Sequence, residues 1–377
     1  MSKKILILGS LSSSLRNFRG PLICAFKERG LEAHVAAPEL HDDGDIVAWL
    51  SDKNIHGHEV PLSRTGLSPV GDLASLKSLL ALMKEVRPDY FLGYTIKPVI
   101  WGLIGAWLAR VPSRVALITG LGYAFTGEAK GKRAVIQSVA RGLYKFALRR
   151  STLIFFQNPD DKSDFQRLGL LPPDVPVKVI NGSGVDVDAF EVAPFPSQPI
   201  RFLLIARLLG DKGIREYAAA AKKVKERHPE VEFHLVGGLD PNPDGISEEE
   251  VKAWHSAGNL IWHGALTDVR PAIAESHVYV LPSYREGTPR TVLEAMAMGR
   301  PVITTDAPGC RETVVDGENG YLVPVKSVDA LVEAMLKFIE TPENIDSMGK
   351  NARQVVDAKY DVRKVNQVML EAMGLHS

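Results

Sequence analysis

The chain alternates short apolar runs with segments of helical spacing, and the alternation occurs on both sides of a Pro-rich stretch at residues 193–199. The first series starts with the apolar run at residues 5–8, and the second with the run at residues 202–205. Strands that alternate with helices form mostly parallel sheets covered by helices on both faces. Ligands of such sheets bind beyond the carboxyl ends of the strands. The pattern therefore predicts an α/β fold of two domains.

Composition supports this interpretation and excludes several classes of protein. At 377 residues the chain is long for one core, and 45% of it is apolar, as in ordinary globular proteins. The 45 basic and 45 acidic residues balance, so no net field attracts nucleic acid. Cys24 and Cys310 lack the spacing of a zinc or redox site. No run is long and apolar enough to span a bilayer, and the first run is too short for a signal peptide.

Residues 283–299 have the pattern of a loop and a helix between two buried strands. Thr288 is placed to N-cap the helix, Pro289 suits its first turn, and Gly299 suits its carboxyl-terminal cap. Unpaired N–H groups and the helix dipole make such an N-terminus attractive to anions. The unit therefore predicts an anion site at the loop.

Two carboxylates and two cations accompany this loop. Glu286 lies in the loop and Glu294 in the helix, where both can accept hydrogen bonds from hydroxyl groups. Arg207 and Lys212 follow the strand at residues 202–205 on a Gly-containing loop, from which both can reach one diphosphate. An anionic group flanked by hydroxyls describes a sugar nucleotide.

The stretch from Glu286 to Glu294 resembles the E-x7-E motif of the retaining glycosyltransferases of family 4, which have the GT-B fold. The resemblance implies two Rossmann-like domains with a cleft between them and a C-terminal helix that crosses back to the first domain. The expected boundaries are an acceptor-binding domain at 1–186, a linker at 187–200, a nucleotide-sugar-binding domain at 201–358 and the returning helix at 359–377.

The resemblance also implies a donor site. Glu286, Arg207 and Lys212 are expected to be catalytic, the two cations by stabilising the leaving nucleoside diphosphate. The base is expected to be read by backbone near Leu266 and Val269, with uracil the family's commonest base. The further residues expected to bind the donor are Gly9, Ser13, Ser14, Gly237, Gly287, Thr288, Pro289 and Glu294.

The acceptor side departs from many family members, because residues 118–123 read Ile-Thr-Gly-Leu-Gly-Tyr and lack the usual His. This variant resembles the subgroup that builds capsules, O-antigens and lipid-linked oligosaccharides. That subgroup includes transferases that add N-acetylgalactosamine to a polyprenyl-diphosphate sugar in bacterial N-glycosylation. Thr119 is the expected catalytic residue here, and the backbone N–H groups of Gly120 and Gly122 are the alternative replacement for the His. The residues expected to bind the acceptor are Arg16, Asn17, Arg19, Lys97, Gly120 and Gly122.

A basic amphipathic segment at residues 133–150 contains five cations and no acid, and an apolar helix precedes it. Such a helix suits the surface of an anionic leaflet. The expected contacts are Trp101, Trp107, Arg141, Lys145 and Arg149, on a peripheral protein at the cytosolic face of the inner membrane. The alternative is a core-packed helix with a solvated basic face.

Asp186 and Asp188 match the D-x-D pattern that holds a metal in another transferase fold, but in this family the segment is an interdomain junction. We therefore expect a metal-independent transferase without a cofactor. A nicotinamide site is disfavoured because no G-x-G-x-x-G pattern follows the first strand. The expected reaction moves an N-acetylhexosamine from a UDP-sugar to a polyprenyl-diphosphate-linked saccharide. Three alternatives stay open: a transferase with another nucleotide sugar or acceptor, a GT-B sugar-nucleotide epimerase, which needs no acceptor, and a non-catalytic protein that binds a sugar nucleotide.

Overall fold

The computed structural model describes residues 2–63, 69–120, 132–242 and 244–376. The chain divides into two compact units. One contains Met1–Ser183 together with Val365–Ser377, and the other contains Gly184–Lys364. None of the helices within these described ranges is long and apolar enough to cross a membrane.

The first unit is a parallel sheet with helices on both faces. Its described strands have the order β3-β2-β1-β4-β5-β6-β7. The elements, in chain order, are β1 (Lys4–Leu8), α1 (Ser12–Glu28), β2 (Glu32–Ala37), α2 (Gly44–Asp52), β3 (His56–Glu59), α3 (Pro69–Val86), β4 (Tyr90–Tyr94), α4 (Ile96–Leu108), β5 (Ser113–Ile118), α5 (Lys132–Leu148), β6 (Leu153–Phe156), α6 (Pro159–Arg167) and β7 (Val177–Val179).

Strand β1 shows why its sequence is a continuous apolar run. Leu6 and Leu8 belong to the core beneath α3 and α4. Ile5 and Ile7 belong to the opposite core, beneath α1. All four side chains are fully buried. A parallel strand covered on both faces needs apolar residues at every position rather than at alternate ones.

The second unit repeats this architecture with the strand order β10-β9-β8-β11-β12-β13. Its elements are β8 (Arg201–Ile205), a 3-10 turn (Gly210–Lys212), α7 (Ile214–Lys225), β9 (Glu232–Val236), α8 (Glu248–Ser256), β10 (Ile261–Trp262), α9 (Arg270–Ala274), β11 (Val278–Leu281), α10 (Arg290–Ala297), β12 (Val302–Thr305), β13 (Gly320–Val323), α11 (Val328–Glu340), α12 (Glu343–Val355) and a π-helical turn (Val356–Tyr360). The last helix, α13 (Val362–Ala372), begins in this unit and ends in the first.

The segment at residues 187–200 packs on the second unit through a buried arginine. Arg300 is fully buried and donates to the carbonyl oxygens of Ala193 at 2.8 Å and Pro194 at 3.0 Å. Its guanidinium also lies 4.5 Å from the ring centroid of Phe195. Burial lowers the pKa of Arg300 to about 10. The segment predicted as a linker thus packs against Arg300 of the second unit.

The chain returns to the first unit within α13. Met369, Leu370 and Met373 pack in the core beneath α1. Arg29, the C-cap residue of α1, donates to the Leu375 carbonyl at 2.9 Å and to Gln367 Oε1 at 2.8 Å. The last turns of the chain therefore belong to the core of the unit in which the chain begins.

Candidate functional site

Lys212 and Glu286 form an ion pair beyond the carboxyl ends of the neighbouring strands β8 and β11. Lys212 Nζ lies 2.6 Å from Glu286 Oε1, and the side chains are 15% and 17% exposed. Ser283 Oγ donates to the same oxygen at 2.8 Å. Burial by itself would lower the pKa of Lys212, but the Glu286 carboxylate and the charge of Asp211 together raise it above its ordinary value. The ammonium is therefore held in its charged form.

Two glycines allow the loop that carries Glu286 to lie against neighbouring backbone. Gly213 has φ +70°, and a Cβ there would overlap the Pro282 carbonyl. Gly309 has φ +81°, and a Cβ there would overlap the Glu286 carbonyl. Left-handed φ and the close approach both favour glycine. Sequence analysis missed these two positions, because a single loop glycine carries no sign of which distant loop it meets.

Arg207 lies at the same edge of the sheet but has a different partner. Its Nη1 donates to Asp240 Oδ2 at 2.8 Å, and 56% of its side chain is exposed. Asp244 accepts from the backbone N–H of Asp211 at 3.1 Å, which brings the loop after β9 onto the loop after β8. The Arg207 charge acts to lower the Lys212 pKa. The structure thus places Arg207 and Lys212 at this edge, each paired with a carboxylate, Asp240 and Glu286 respectively.

Glu294 lies inside α10 and is only 6% exposed. Burial raises the pKa of its carboxyl group, and Arg290, whose Nε lies 2.8 Å from Glu294 Oε1, acts in the opposite direction. A buried carboxylate beside one arginine retains oxygens that can accept from a ligand hydroxyl.

The start of α10 differs from the prediction by one residue. Pro289 occupies the N-cap position, and the first helical residue is Arg290. Thr288, the predicted N-cap, precedes it, and its hydroxyl donates to the Gly287 carbonyl at 2.9 Å. Proline without an N–H donor fits a position whose N–H has no helical partner. The predicted cap at the other end is confirmed, because Gly299 has φ +77° just after the helix.

Three more residues predicted to bind the donor, Gly237, Leu266 and Val269, lie on neighbouring loops of the second unit. A Cβ at Gly237 would overlap the Ala206 carbonyl, so glycine is required for the loops after β8 and β9 to approach each other. Leu266 is 41% exposed in the loop after β10. Val269 is the N-cap residue of α9. All three follow strands at the carboxyl edge of the sheet.

In the first unit, the loop after β1 packs against a buried tyrosine. A Cβ at Gly9 would overlap the Tyr94 hydroxyl. Ser14 Oγ lies 2.7 Å from that hydroxyl, and neighbouring Ser13 is half-buried. Burial raises the pKa of Tyr94 to about 12, against the opposing hydrogen bond from Ser14. Gly9 and Ser14 therefore serve contacts with Tyr94 within the unit.

The cations predicted to meet the acceptor are not equally available. Arg16 and Asn17 are exposed on α1. Arg19 is 3% exposed and donates to Ser183 Oγ at 3.1 Å. Lys97 is 8% exposed, and its ammonium lies 2.9 Å from Asp72 Oδ1. Burial and existing partners count against the predicted acceptor role of Arg19 and Lys97.

Thr119 and Gly120 follow β5 at the carboxyl edge of the first sheet, and both are half-exposed. Gly120 has φ +137°, a conformation that favours glycine. Gly122, the other predicted glycine of this loop, lies outside the described residues.

The residues predicted to contact the membrane also differ in their exposure. Trp107 is 40% exposed at the end of α4, whereas Trp101 is half-buried and packs against the core. On α5, Lys145 and Arg149 of the adjoining turn are exposed, and Arg141 is half-buried. Sequence analysis did not predict a contact between a cation and two aromatic rings at this surface. The Arg150 guanidinium lies 4.5 Å from the Trp107 ring centroid and 4.7 Å from that of Phe146.

Asp186 and Asp188 make contacts that stabilise their own segment. Asp186 Oδ1 accepts from the backbone N–H groups of Asp188 and Ala189, each at 3.1 Å. The Asp188 carboxylate lies 2.8 Å from Arg363 Nη1. Both carboxylates therefore have partners within the second unit.

Two family models match the two halves of the chain. Residues 4–158 match the model described as glycosyl transferase 4-like, and residues 187–355 match that of glycosyl transferases group 1. The chain is a glycosyltransferase, because both models describe that class and together they match most of its length. The cation and carboxylate loops at residues 207–212 and 286–294 lie within the second match.

Characterised proteins resemble this glycosyltransferase over its whole length. It is 28% identical over 383 residues to the N,N'-diacetylbacillosaminyl-diphospho-undecaprenol alpha-1,3-N-acetylgalactosaminyltransferase of Campylobacter jejuni, which covers 98% of this chain and 97% of that protein. It is 26% identical over 347 residues to the UDP-Gal:alpha-D-GlcNAc-diphosphoundecaprenol alpha-1,3-galactosyltransferase of Escherichia coli, covering 87% of this chain and 86% of that one.

Solved structures establish the fold as GT-B. Sucrose-phosphate synthase of Thermosynechococcus elongatus superposes with a TM-score of 0.80 at 17% identity, covering 98% of both chains. HepE of Anabaena, in complex with UDP and glucose, superposes with a TM-score of 0.78 at 20% identity, covering 99% of both chains. The glycosyltransferase therefore has the predicted α/β fold of two Rossmann-like units.

Proposed function

We propose that this glycosyltransferase transfers a sugar, an N-acetylhexosamine such as N-acetylgalactosamine, from a UDP-sugar to a polyprenyl-diphosphate-linked saccharide in bacterial glycan assembly. The observation that carries the proposal is the full-length similarity to the Campylobacter transferase, which is named for an activity of this kind. The Escherichia relative acts on a diphosphoundecaprenol-linked sugar with a different donor. The lipid-linked acceptor is therefore the shared part of the proposal, and the donor sugar is the part that distinguishes relatives.

The second unit is the proposed donor site. Lys212, charged and mostly buried, and Arg207, more exposed, offer one point charge and one fork to a diphosphate. Both positive charges stabilise the negative charge that develops on the leaving UDP. Electrostatic stabilisation of this kind is usually the largest single contribution to rate enhancement. Because these cations neutralise the leaving group, transfer needs no metal ion. Glu294 is proposed to accept from ribose hydroxyls.

Glu286 is the proposed carboxylate beside the transferred sugar. It already accepts from Lys212 and Ser283, so its oxygen is fixed in position by two donors. A diphosphate that takes Lys212 as its partner leaves this carboxylate facing the sugar attached to that diphosphate. A carboxylate there can stabilise the positive charge that forms at the anomeric carbon. We propose transfer with retention of configuration on family grounds.

The first unit is the proposed acceptor site, at the carboxyl edge of its sheet. Arg16 and Asn17 on α1 and Thr119 and Gly120 after β5 are accessible and follow strands of that sheet. The lipid tail is proposed to stay in the cytosolic leaflet of the inner membrane, with the protein bound peripherally. Trp107, Lys145 and Arg149 form the proposed membrane contact, since an aromatic ring with exposed cations suits an anionic surface.

Incubation with a panel of UDP-sugars and two acceptors tests the proposal. One acceptor is a polyprenyl-diphosphate disaccharide in vesicles, and the other is the same free disaccharide. Mass spectrometry of the lipid product is expected to show one added N-acetylhexosamine, and NMR is expected to show that the new linkage keeps the donor's α configuration. Equal turnover of the free saccharide would contradict the lipid acceptor, and an inverted linkage would contradict retention.

A further inference from the structure

Four side chains on the edge pair of strands β2 and β3 form a cluster of nitrogen and oxygen ligands. Glu32 and His34 are two residues apart on β2, and His56 and His58 are two residues apart on β3, so each pair projects from one face. The register pairs the Cα atoms of His34 and His56. The ring centroids of His34 and His56 lie 4.6 Å apart, and those of His34 and His58 5.2 Å apart.

Three of these residues converge on one point. Glu32 Oε1 lies 3.0 Å from His34 Nε2 and 3.6 Å from His56 Nε2. One ligand atom from each of the three lies within 4.8 Å of the others. Tetrahedral zinc with bonds of about 2.0–2.2 Å separates its ligand atoms by about 3.3 Å. Two imidazoles and one carboxylate are a common protein set for that ion, with a fourth position left for water.

His58 supplies the outer hydrogen bond that such sites use. Its Nε2 lies 2.9 Å from His34 Nδ1, so the His34 ring is held with Nε2 toward Glu32. The His34 side chain is 8% exposed, which restricts it further. Outer partners that orient a ligating histidine raise its affinity for the metal. The ligand at the centre of the cluster is therefore pre-positioned by the fold.

The second unit contains a similar arrangement that lacks one ligand. Glu232 Oε2 lies 3.3 Å from His234 Nε2, and His234 Nδ1 lies 2.8 Å from His263 Nε2. These contacts match those among Glu32, His34 and His58. The residue paired with His234 on the edge strand is Ile261, where the first unit has His56. Both units therefore contain a network of one glutamate and two histidines. The first unit differs from the second in having His56, a third possible metal ligand, beside that network.

We propose that Glu32, His34 and His56 bind one zinc ion, which joins the edge strand β3 to β2. Glu32 and His56 are the first residues of their strands, so the site lies at the amino end of the parallel sheet. Ligands of the transfer reaction belong at the carboxyl end. The ion therefore stabilises the edge of the sheet and takes no part in glycosyl transfer. Lys4 Nζ, 3.4 Å from Glu32 Oε1, competes with it for the carboxylate.

Titration of tag-free, chelator-treated full-length protein with zinc alone tests the proposal by calorimetry, with cobalt absorption as a reading of the coordination sphere. We expect one bound equivalent and a rise in the thermal midpoint. His56→Ala and Glu32→Gln are expected to weaken zinc binding at least about tenfold. His56 is 51% exposed, so its removal leaves folding intact. Lys4→Ala is expected to tighten zinc binding, because a competing cation is removed.

His263→Ala is the control, since it removes the second unit's counterpart of His58, where no third ligand stands beside the network. It is expected to leave zinc affinity and stoichiometry unchanged. The proposal is overturned if the wild-type protein binds no zinc, if His56→Ala binds zinc as the wild type does, or if His263→Ala loses as much affinity as His56→Ala.

Discussion

Lys212 Nζ and Glu286 Oε1 lie 2.6 Å apart, although 74 residues separate them in sequence. The cation proposed to meet the donor diphosphate is thus held by the carboxylate proposed to face the donor sugar. A diphosphate that binds Lys212 replaces one anionic partner by another, so the ammonium remains paired throughout. The same exchange releases Glu286. Donor binding and positioning of the carboxylate are therefore coupled in this account.

Lys212→Ala should lower affinity for UDP about 10- to 100-fold. Hydrogen bonds to charged groups contribute about 1.5–3 kcal/mol, and each 1.4 kcal/mol is about tenfold. Isothermal titration with UDP measures the change. Lys223→Ala is the control, because that lysine forms an exposed pair with Asp329 and such pairs contribute little. Unchanged UDP affinity in Lys212→Ala would remove this lysine from the donor site.

Glu286→Gln should separate binding from turnover. The neutral amide releases Lys212 but cannot stabilise positive charge at the anomeric carbon. UDP affinity should therefore be kept or increased while the rate of transfer falls by more than about tenfold. Calorimetry and a transfer assay on one preparation give both values. A parallel loss of UDP affinity would show that Glu286 supports donor binding rather than chemistry.

Glu294→Gln should stabilise the free protein at neutral pH and weaken donor binding. Burial raises the pKa of Glu294 in the folded protein, so the folded state binds its proton more tightly than the unfolded state does. Wild-type stability contributed by this group is therefore lost as pH rises from the unfolded pKa through the folded one. Gln has no proton to lose, so the variant's advantage in thermal midpoint should grow between about pH 4 and 7.

Thermal midpoints of both proteins across that pH range check the prediction, together with UDP calorimetry at pH 7. Glu333→Gln is a suitable control, since Glu333 is exposed on α11. A variant that is less stable than the wild type at pH 7, by the same margin as at pH 4, would contradict the assigned cause.

Arg300→Met should release the segment at residues 193–195 from the second unit. The substitution leaves buried carbonyl groups without their donor, at a cost of about 3 kcal/mol or more. Limited proteolysis should cut the variant within residues 193–199, where the wild type resists, and the thermal midpoint should fall. Arg227→Met, at an exposed position, is the control. Equal resistance to proteolysis in Arg300→Met would show that other contacts hold the segment.

Much of the fold was predictable, because it depends on local patterns. Apolar runs buried on both faces marked the strands, and the left-handed Gly299 marked the end of α10. The partners of single polar residues were not predictable. Lys97 looks like an available cation in sequence, but its partner Asp72 comes from another helix. Arg300 has no signal at all, since its partners are backbone carbonyls, among them those of Ala193 and Pro194, 107 and 106 residues away.

The candidate site was predictable only as far as its motif extends. Spacing and family resemblance pointed to Arg207, Lys212, Glu286 and Glu294. Which carboxylate holds which cation depends on how the loops after β8, β9 and β11 approach one another. That approach rests on Gly213, Gly237 and Gly309. Nothing in the local sequence of a loop glycine identifies the backbone it will contact.

Charge reversal on α5 and its adjoining turn tests the membrane contact. Arg141→Glu/Lys145→Glu/Arg149→Glu should largely release the protein from anionic vesicles, since each cation near the surface contributes about 1 kcal/mol. UDP binding should stay unchanged, because that site belongs to the other unit. Reversal of Lys222, Lys223 and Lys225 on α7 makes the same charge change elsewhere. Equal release by the two triple variants in a sedimentation assay would reduce the effect to net charge.

The most direct test of the account is release of UDP from UDP-N-acetylgalactosamine, measured in excess EDTA with and without a polyprenyl-diphosphate saccharide in vesicles. The account predicts rapid release that requires the lipid-linked saccharide, survives the chelator and is lost in Lys212→Ala. Release or conversion of the donor without any acceptor would contradict it in favour of an epimerase. Binding of UDP without turnover on any lipid-linked saccharide would contradict it in favour of a non-catalytic protein.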